Sequence, residues 1–180
     1  MADVQAVLPG IHPTLRPQRS EPAILLRAAQ MLAPAVLAWI DEPSARLDQI
    51  VSDLAQVIRP FNDGYALARR LDDVGYAANA ELVEVLGEAD RWASKAFEDA
   101  VKVWVVANGI VLDLPLGATV TTRRGDGVIN GFLSATAQYV VAVTLEQRAM
   151  PGRGCVLNAE DVSVISLPFA AASSLEVPHG

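Results

Sequence analysis

From Ala80 to Asn108 the chain carries an apolar pattern that fits one long helix and little else. Leu82, Val85, Leu86, Ala89, Trp92, Ala93, Ala96, Phe97, Ala100, Val101, Val103 and Trp104 recur at helical spacing. At about 100° per residue they cover about half the circumference. Glu81, Glu84, Glu88, Arg91, Lys95, Glu98 and Lys102 gather on the other side. A rise of about 1.5 Å per residue makes such a helix about 40 Å long. So broad an apolar arc needs cover on a wide front, and the segments before it are expected to supply that cover as an antiparallel helical bundle.

Those segments have the right signals. Ser20-Glu21-Pro22 makes a helix start, with a capping hydroxyl, an acid in the first turn and an early proline. Ile24, Leu25, Ala28, Met31, Leu32, Ala35, Val36 and Trp39 follow at helical spacing, and Pro34 is expected to kink or split the helix. Residues 22–40 are weighed against two membrane readings. A transmembrane span would be barely long enough, with Arg27 near its middle, and a signal peptide would have its apolar region broken by the same arginine. An amphipathic core helix is the reading taken. Asp41-Glu42-Pro43-Ser44 opens a second helix through Leu47, Ile50, Val51, Leu54, Val57 and Ile58. Asn62-Asp63 caps a third helix with Tyr65, Leu67, Ala68 and Leu71 inward, Gly75 stops it, and Asn79 caps the long helix.

After Gly109 the period changes. Ala118 to Arg123 alternates and is rich in Thr and Val, and Gly125-Asp126-Gly127 reads as a tight turn before Val128 to Ser134. Gln138 to Thr144 is a β-branched run, residues 146–154 read as a loop, and Cys155 to Leu157 and Val162 to Leu167 supply short closing strands. Gly117-x-x-Val120, the Gly125-Asp126-Gly127 turn, Val128-Ile129-x-Gly131, Tyr139-Val140-Val141 and Glu160-Asp161-Val162 together resemble the small five-stranded SH3-like barrels of the KOW type. The resemblance covers about residues 115–167. It implies a small β-barrel that binds peptides, proteins, RNA or ribosomes, or docks on a partner domain. No family is recognised for the helical part. The expected organisation is α+β: a mobile arm over 1–19, a helical bundle over 20–109 built on the long helix, a barrel over 110–167 and a disordered tail over 168–180.

Charge and side-chain chemistry narrow the function. The net charge is −7 and unevenly spread. Residues 21–109 hold eight Lys/Arg against fourteen Asp/Glu, whereas residues 117–167 hold four of each. An acidic helical half repels a phosphate backbone, so nucleic acid is not its expected partner. Cys155 is the single cysteine, which excludes an intrachain disulfide and fits a cytoplasmic chain. The two histidines, His12 and His179, lie near the ends, so neither a Ser-His-Asp arrangement nor a Cys/His zinc site is expected within the fold.

The candidate residues follow. Glu81, Glu84, Glu88 and Asp90, with Asp72-Asp73, have the chemistry of a divalent-metal or paired-carboxylate site. Their spacing to Arg91, Lys95 and Lys102 instead predicts helix-surface ion pairs. Asp90 projects at the edge of the apolar arc and is expected to pair with Arg69 or Arg70, or to mark an interface. Trp92, Val105 and Val106 extend the apolar surface and join Asp90 as interface candidates for a homo-oligomer. In the barrel, Arg123, Arg124, Arg148 and Arg153 fall in loops or at strand ends, with Asn130, Tyr139 and Asn158 nearby. Arginine, tyrosine and amides are the groups that clamp a small anionic ligand, an RNA segment or an acidic protein surface. The expectation is a non-enzymatic, cytoplasmic binding protein without cofactor or metal. Arg123, Arg124, Asn130, Tyr139, Arg148 and Arg153 are its ligand- or partner-binding residues. In style it is similar to accessory proteins of phages and prophages that inhibit a partner. The alternatives are a nucleic-acid-associated module using the barrel arginines and a carboxylate/metal-dependent enzyme.

Overall fold

The computed structural model describes residues 15–40, 46–61 and 63–168. The chain divides between Asn108 and Gly109 into two compact units, one helical and one built on a sheet. The expected openings of the second and third helices at 41–44 and Asn62, most of the arm and nearly all of the tail lie outside the described residues.

The helical unit contains α1 (Pro22–Ile40), α2 (Leu47–Val57), α3 (Gly64–Asp72), α4 (Ala80–Gly87) and α5 (Ala89–Ala107). Its organising element is α1, which packs against α2, α4 and α5. Leu32, Ala33 and Val36 of α1 are fully buried with Leu54, Leu67, Leu71, Leu82 and Leu86. A second, smaller cluster joins Ile24 and Ala28 to Ala93 and Ala96 of α5, small residues that let the two helices approach closely. By length and composition α1 could cross a membrane, and its inward face here is taken up by this core.

Three expectations change. The stretch from Ala80 to Asn108 is two helices, because the chain passes through Glu88, whose amide bonds the Leu86 carbonyl. Both pieces pack on α1; α4 also lies on α3, whereas α5 joins the main core through Ala89 and Trp92 and then runs along the first half of α1. Pro34 leaves α1 unbroken. It sits with Gln30, whose carbonyl it deprives of a partner, and Ala35 on the exposed side of the helix. Residues 15–19, placed in the arm, are tied down. The Arg16 guanidinium lies 4.9 Å from the Trp104 ring, and Arg19 bonds the Ser94 hydroxyl.

The sheet unit contains β1 (Thr119–Thr122), β2 (Gly125–Leu133), β3 (Gln138–Ala142), the single-turn α6 (Leu145–Arg148), β4 (Cys155–Asn158) and β5 (Ser163–Ser166). Single 3-10 turns follow β2 at Ser134–Thr136 and β4 at Ala159–Asp161. All pairings are antiparallel and the order is β4-β3-β2-β1-β5. The outer strands β4 and β5 do not pair with each other, so the sheet is open rather than closed into the expected barrel. Ala118, Val120, Ile129, Tyr139 and Val141 form its core, with Leu112, Leu114, Val143, Leu157 and Val162 packed around them.

The β1–β2 turn also differs from expectation. Thr122 pairs with Gly125, which leaves Arg123-Arg124 as the turn and puts Gly125-Asp126-Gly127 in the strand. Gly125 has φ of +104°, a conformation open to glycine, and Gly127 lies where a Cβ would strike Val141. The loop expected over 146–154 begins as α6, started by a capping box in which Thr144 and Gln147 satisfy each other's backbone amides.

Candidate binding surface

The β1–β2 turn is rigid because Thr122 serves it twice. Its hydroxyl accepts from the Arg124 amide at 3.0 Å and donates to the Gly125 carbonyl at 2.8 Å. Asp126 is held by the Thr121 hydroxyl across the same turn. The guanidiniums of Arg123 and Arg124 therefore project from a fixed backbone into solvent. Arg124 Nη1 reaches the Cys155 sulfur at 3.4 Å, bringing the turn against the start of β4. Arg123 Nη2 stands 3.9 Å from an Asp161 carboxylate oxygen and remains 92% exposed. Arg153 precedes Cys155 by two residues and is exposed, with its carbonyl held by the Asn130 side chain. Arg148 lies at the end of α6 and is also exposed.

Two residues expected beside these arginines belong to the fold instead. Tyr139 is buried on the core face. Its hydroxyl accepts from the Leu114 amide at 3.1 Å and donates to Asp113 at 3.3 Å, so it pins the segment entering the sheet. Burial, with the Asp113 charge adding to it, pushes the phenol above its ordinary range. Asn130 occupies a bulge, for the register shifts between Ile129 and Gly131. Its side-chain amide donates to the carbonyls of Gln147, Met150 and Arg153 at 2.8, 2.7 and 3.0 Å. Asn130 thereby holds the loop that carries Arg153 and is a positioning residue. Asn158, likewise, bonds Gln138 and Asp161 within the unit.

The interface candidates also separate. Val106 is exposed and Val105 is buried, which removes Val105 from the accessible surface. Trp92 packs against the main core with one side out, and the Arg91 guanidinium lies 4.8 Å from its ring. Asp90 pairs with Arg19 at 3.5 Å rather than with Arg69 or Arg70, and it accepts from the Phe61 amide at 3.3 Å. Arg70 is directed to the Val57 carbonyl. The Arg19–Phe61–Asp90–Ser94 cluster was invisible in the sequence, because Arg19 stands 71 and 75 positions from Asp90 and Ser94 along the chain.

The chain matches no protein family, no curated protein and no solved structure. Its chemistry therefore rests on its own residues. Glu88 pairs with Arg91, Asp99 with Lys95 and Glu98 with Lys102, at 2.8, 2.7 and 2.5 Å. Each lysine holds its neighbouring carboxyl below the usual range. Among the described residues no three His, Cys, Asp or Glu side chains are grouped to hold a metal ion. Such exposed helix pairs are screened by water and add little to stability.

Proposed function

We propose that this chain is a non-enzymatic binding protein of the cytoplasm, an accessory factor that occupies an acidic surface of a partner protein and so blocks it. The observation that carries the reading is the contact of Arg124 with Cys155 at the start of β4, with Arg123 in the same turn and Arg153 two residues before Cys155 along the chain. A protein surface suits this array better than a lone small anion. Arg123 is almost fully solvated, and a single anion gains little from guanidiniums immersed in water. Several carboxylates spread over a partner would engage all three arginines together. The strand order, with a single 3-10 turn between β4 and β5, also supports the likeness to small SH3-like folds of the KOW type, which serve as binding modules. Self-association remains part of the proposal, with Trp92, Asp90 and Val106 as its surface.

Calorimetric titration of the full chain with poly-glutamate and with a single-stranded RNA tests the reading. Poly-glutamate affinity is expected to fall as salt rises. The Arg123→Ala/Arg124→Ala/Arg153→Ala variant is expected to raise the dissociation constant about tenfold or more, as for loss of charge-assisted contacts. Equal binding by the triple variant overturns the reading. RNA bound far more tightly than poly-glutamate, through the same arginines, favours the nucleic-acid alternative.

A further inference from the structure

Between α3 and α4 runs a groove of about 620 Å³. Its origin is glycine-dependent: a Cβ on Gly64 would overlap the Val83 carbonyl and stand 2.8 Å from the Gly87 nitrogen, so the helices meet closely there. The groove is lined by Ala68, Val83 and Tyr65, with Asp72 and Glu84 supplying carboxylates and Arg69 one guanidinium. Its exposed lining is mostly apolar. Tyr65 is 63% exposed although it is a large aromatic. The Glu84 carboxylate makes no hydrogen bond or ion pair among the described residues. Asp72 uses one oxygen on the Ala78 amide at 3.2 Å and keeps the other free for a further donor.

We infer that this groove binds an arginine-bearing segment of a partner protein. The match is one of chemistry. An arginine side chain has an apolar stem for Ala68 and Val83, a planar cation that stacks on an exposed tyrosine, and a fork that bonds carboxylates in pairs. The groove holds two carboxylates against one guanidinium. It also sits in a helical unit whose excess of acids draws a cationic segment and repels an anionic one. Lysine fits less well, because its compact, strongly hydrated ammonium gains less from the tyrosine face.

The test is titration of the full chain at low salt with a short blocked peptide of alternating arginine and glycine, and with its lysine counterpart. The arginine peptide is expected to bind and the lysine peptide to bind several-fold more weakly. Asp72→Asn/Glu84→Gln is expected to raise the dissociation constant about tenfold or more. The charge-matched control Asp48→Asn/Glu98→Gln should leave it within a factor of about two. Because Asp72 also holds the Ala78 amide, Glu84→Gln alone and Tyr65→Leu give an independent check. Each should weaken the arginine peptide, and Tyr65→Leu should erase its advantage over lysine. Absence of binding, equal loss in the control, equal affinity for lysine, or self-association that leaves the peptide unbound overturns the inference. Poly-glutamate binding at the sheet unit is unaffected by any of these outcomes.

Discussion

Asn130 carries more structure than its sequence context suggests. As the extra residue of a bulge it points its amide at three carbonyls of one loop, and its own carbonyl accepts from the Gly152 amide at 3.1 Å. Asn130→Asp places a carboxylate among those oxygens and is expected to cost about 1–3 kcal/mol, more than Asn130→Ala, measured by urea unfolding. Hydrogen exchange at Gly152 should quicken in both variants. Tyr76 offers a pH test. Its hydroxyl donates to Asp53 at 2.9 Å, and burial together with that carboxylate raises its pKa far above the ordinary value. A raised folded-state pKa gives stability that is complete below the unfolded value of about 10 and is lost as the pH climbs past it. The stability of wild type relative to Tyr76→Phe should therefore be flat up to about pH 9 and decline above about pH 10, as unfolding curves at each pH would record.

At the scale of elements, two glycines within one helix pair predict opposite outcomes. Gly64→Ala forces a Cβ against the α4 backbone and is expected to destabilise by about 1–3 kcal/mol. Gly87→Ala meets nothing within 4 Å and has helical surroundings, so it is expected to stabilise by about 0.5–1 kcal/mol. Thermal unfolding of the two variants separates them by sign. The same pair explains what the sequence could disclose. Periodicity found the helical stretches before Gly109, because apolar spacing reports which side of an element is buried, but not the exposed single turn α6. It could not find the break at Glu88, since residues on both sides keep one period, and Ala89 and Trp92 beyond it still join the core that holds Leu82 and Leu86. Nor could it detect that Pro34 would face water, which depends on where α1 lies in the bundle. The arginines were legible as loop and strand-end residues. The roles of Tyr139 and Asn130 were not. Strand alternation does not say which face meets a core, and a bulge resets the count by one residue.

For the whole molecule, the change of hydrophobic period near Gly109 coincides with the division of the chain, and each unit has its own buried cluster. Separate cores mean separate cooperative transitions wherever the units do not stabilise each other strongly. Leu86 and Ile129 are nearly fully buried, one in each cluster. Leu86→Ala should lower the stability of the helical transition by about 2–5 kcal/mol, and Ile129→Ala that of the sheet transition by a similar amount. Tryptophan reports the helical unit alone, since Trp39, Trp92 and Trp104 all lie there, and hydrogen exchange at the Tyr139 and Val141 amides reports the sheet. Tryptophan fluorescence should shift in Leu86→Ala and hold in Ile129→Ala, while amide exchange at Tyr139 and Val141 quickens in the second variant. One shared transition that moves equally in both would mean the units fold as a single cooperative body. The arginine surface and the acidic groove would then be coupled through a common unfolding equilibrium. Two transitions leave each surface free to engage its own partner, an acidic one at the sheet and an arginine-bearing one at the helices, without either binding event stabilising the other unit.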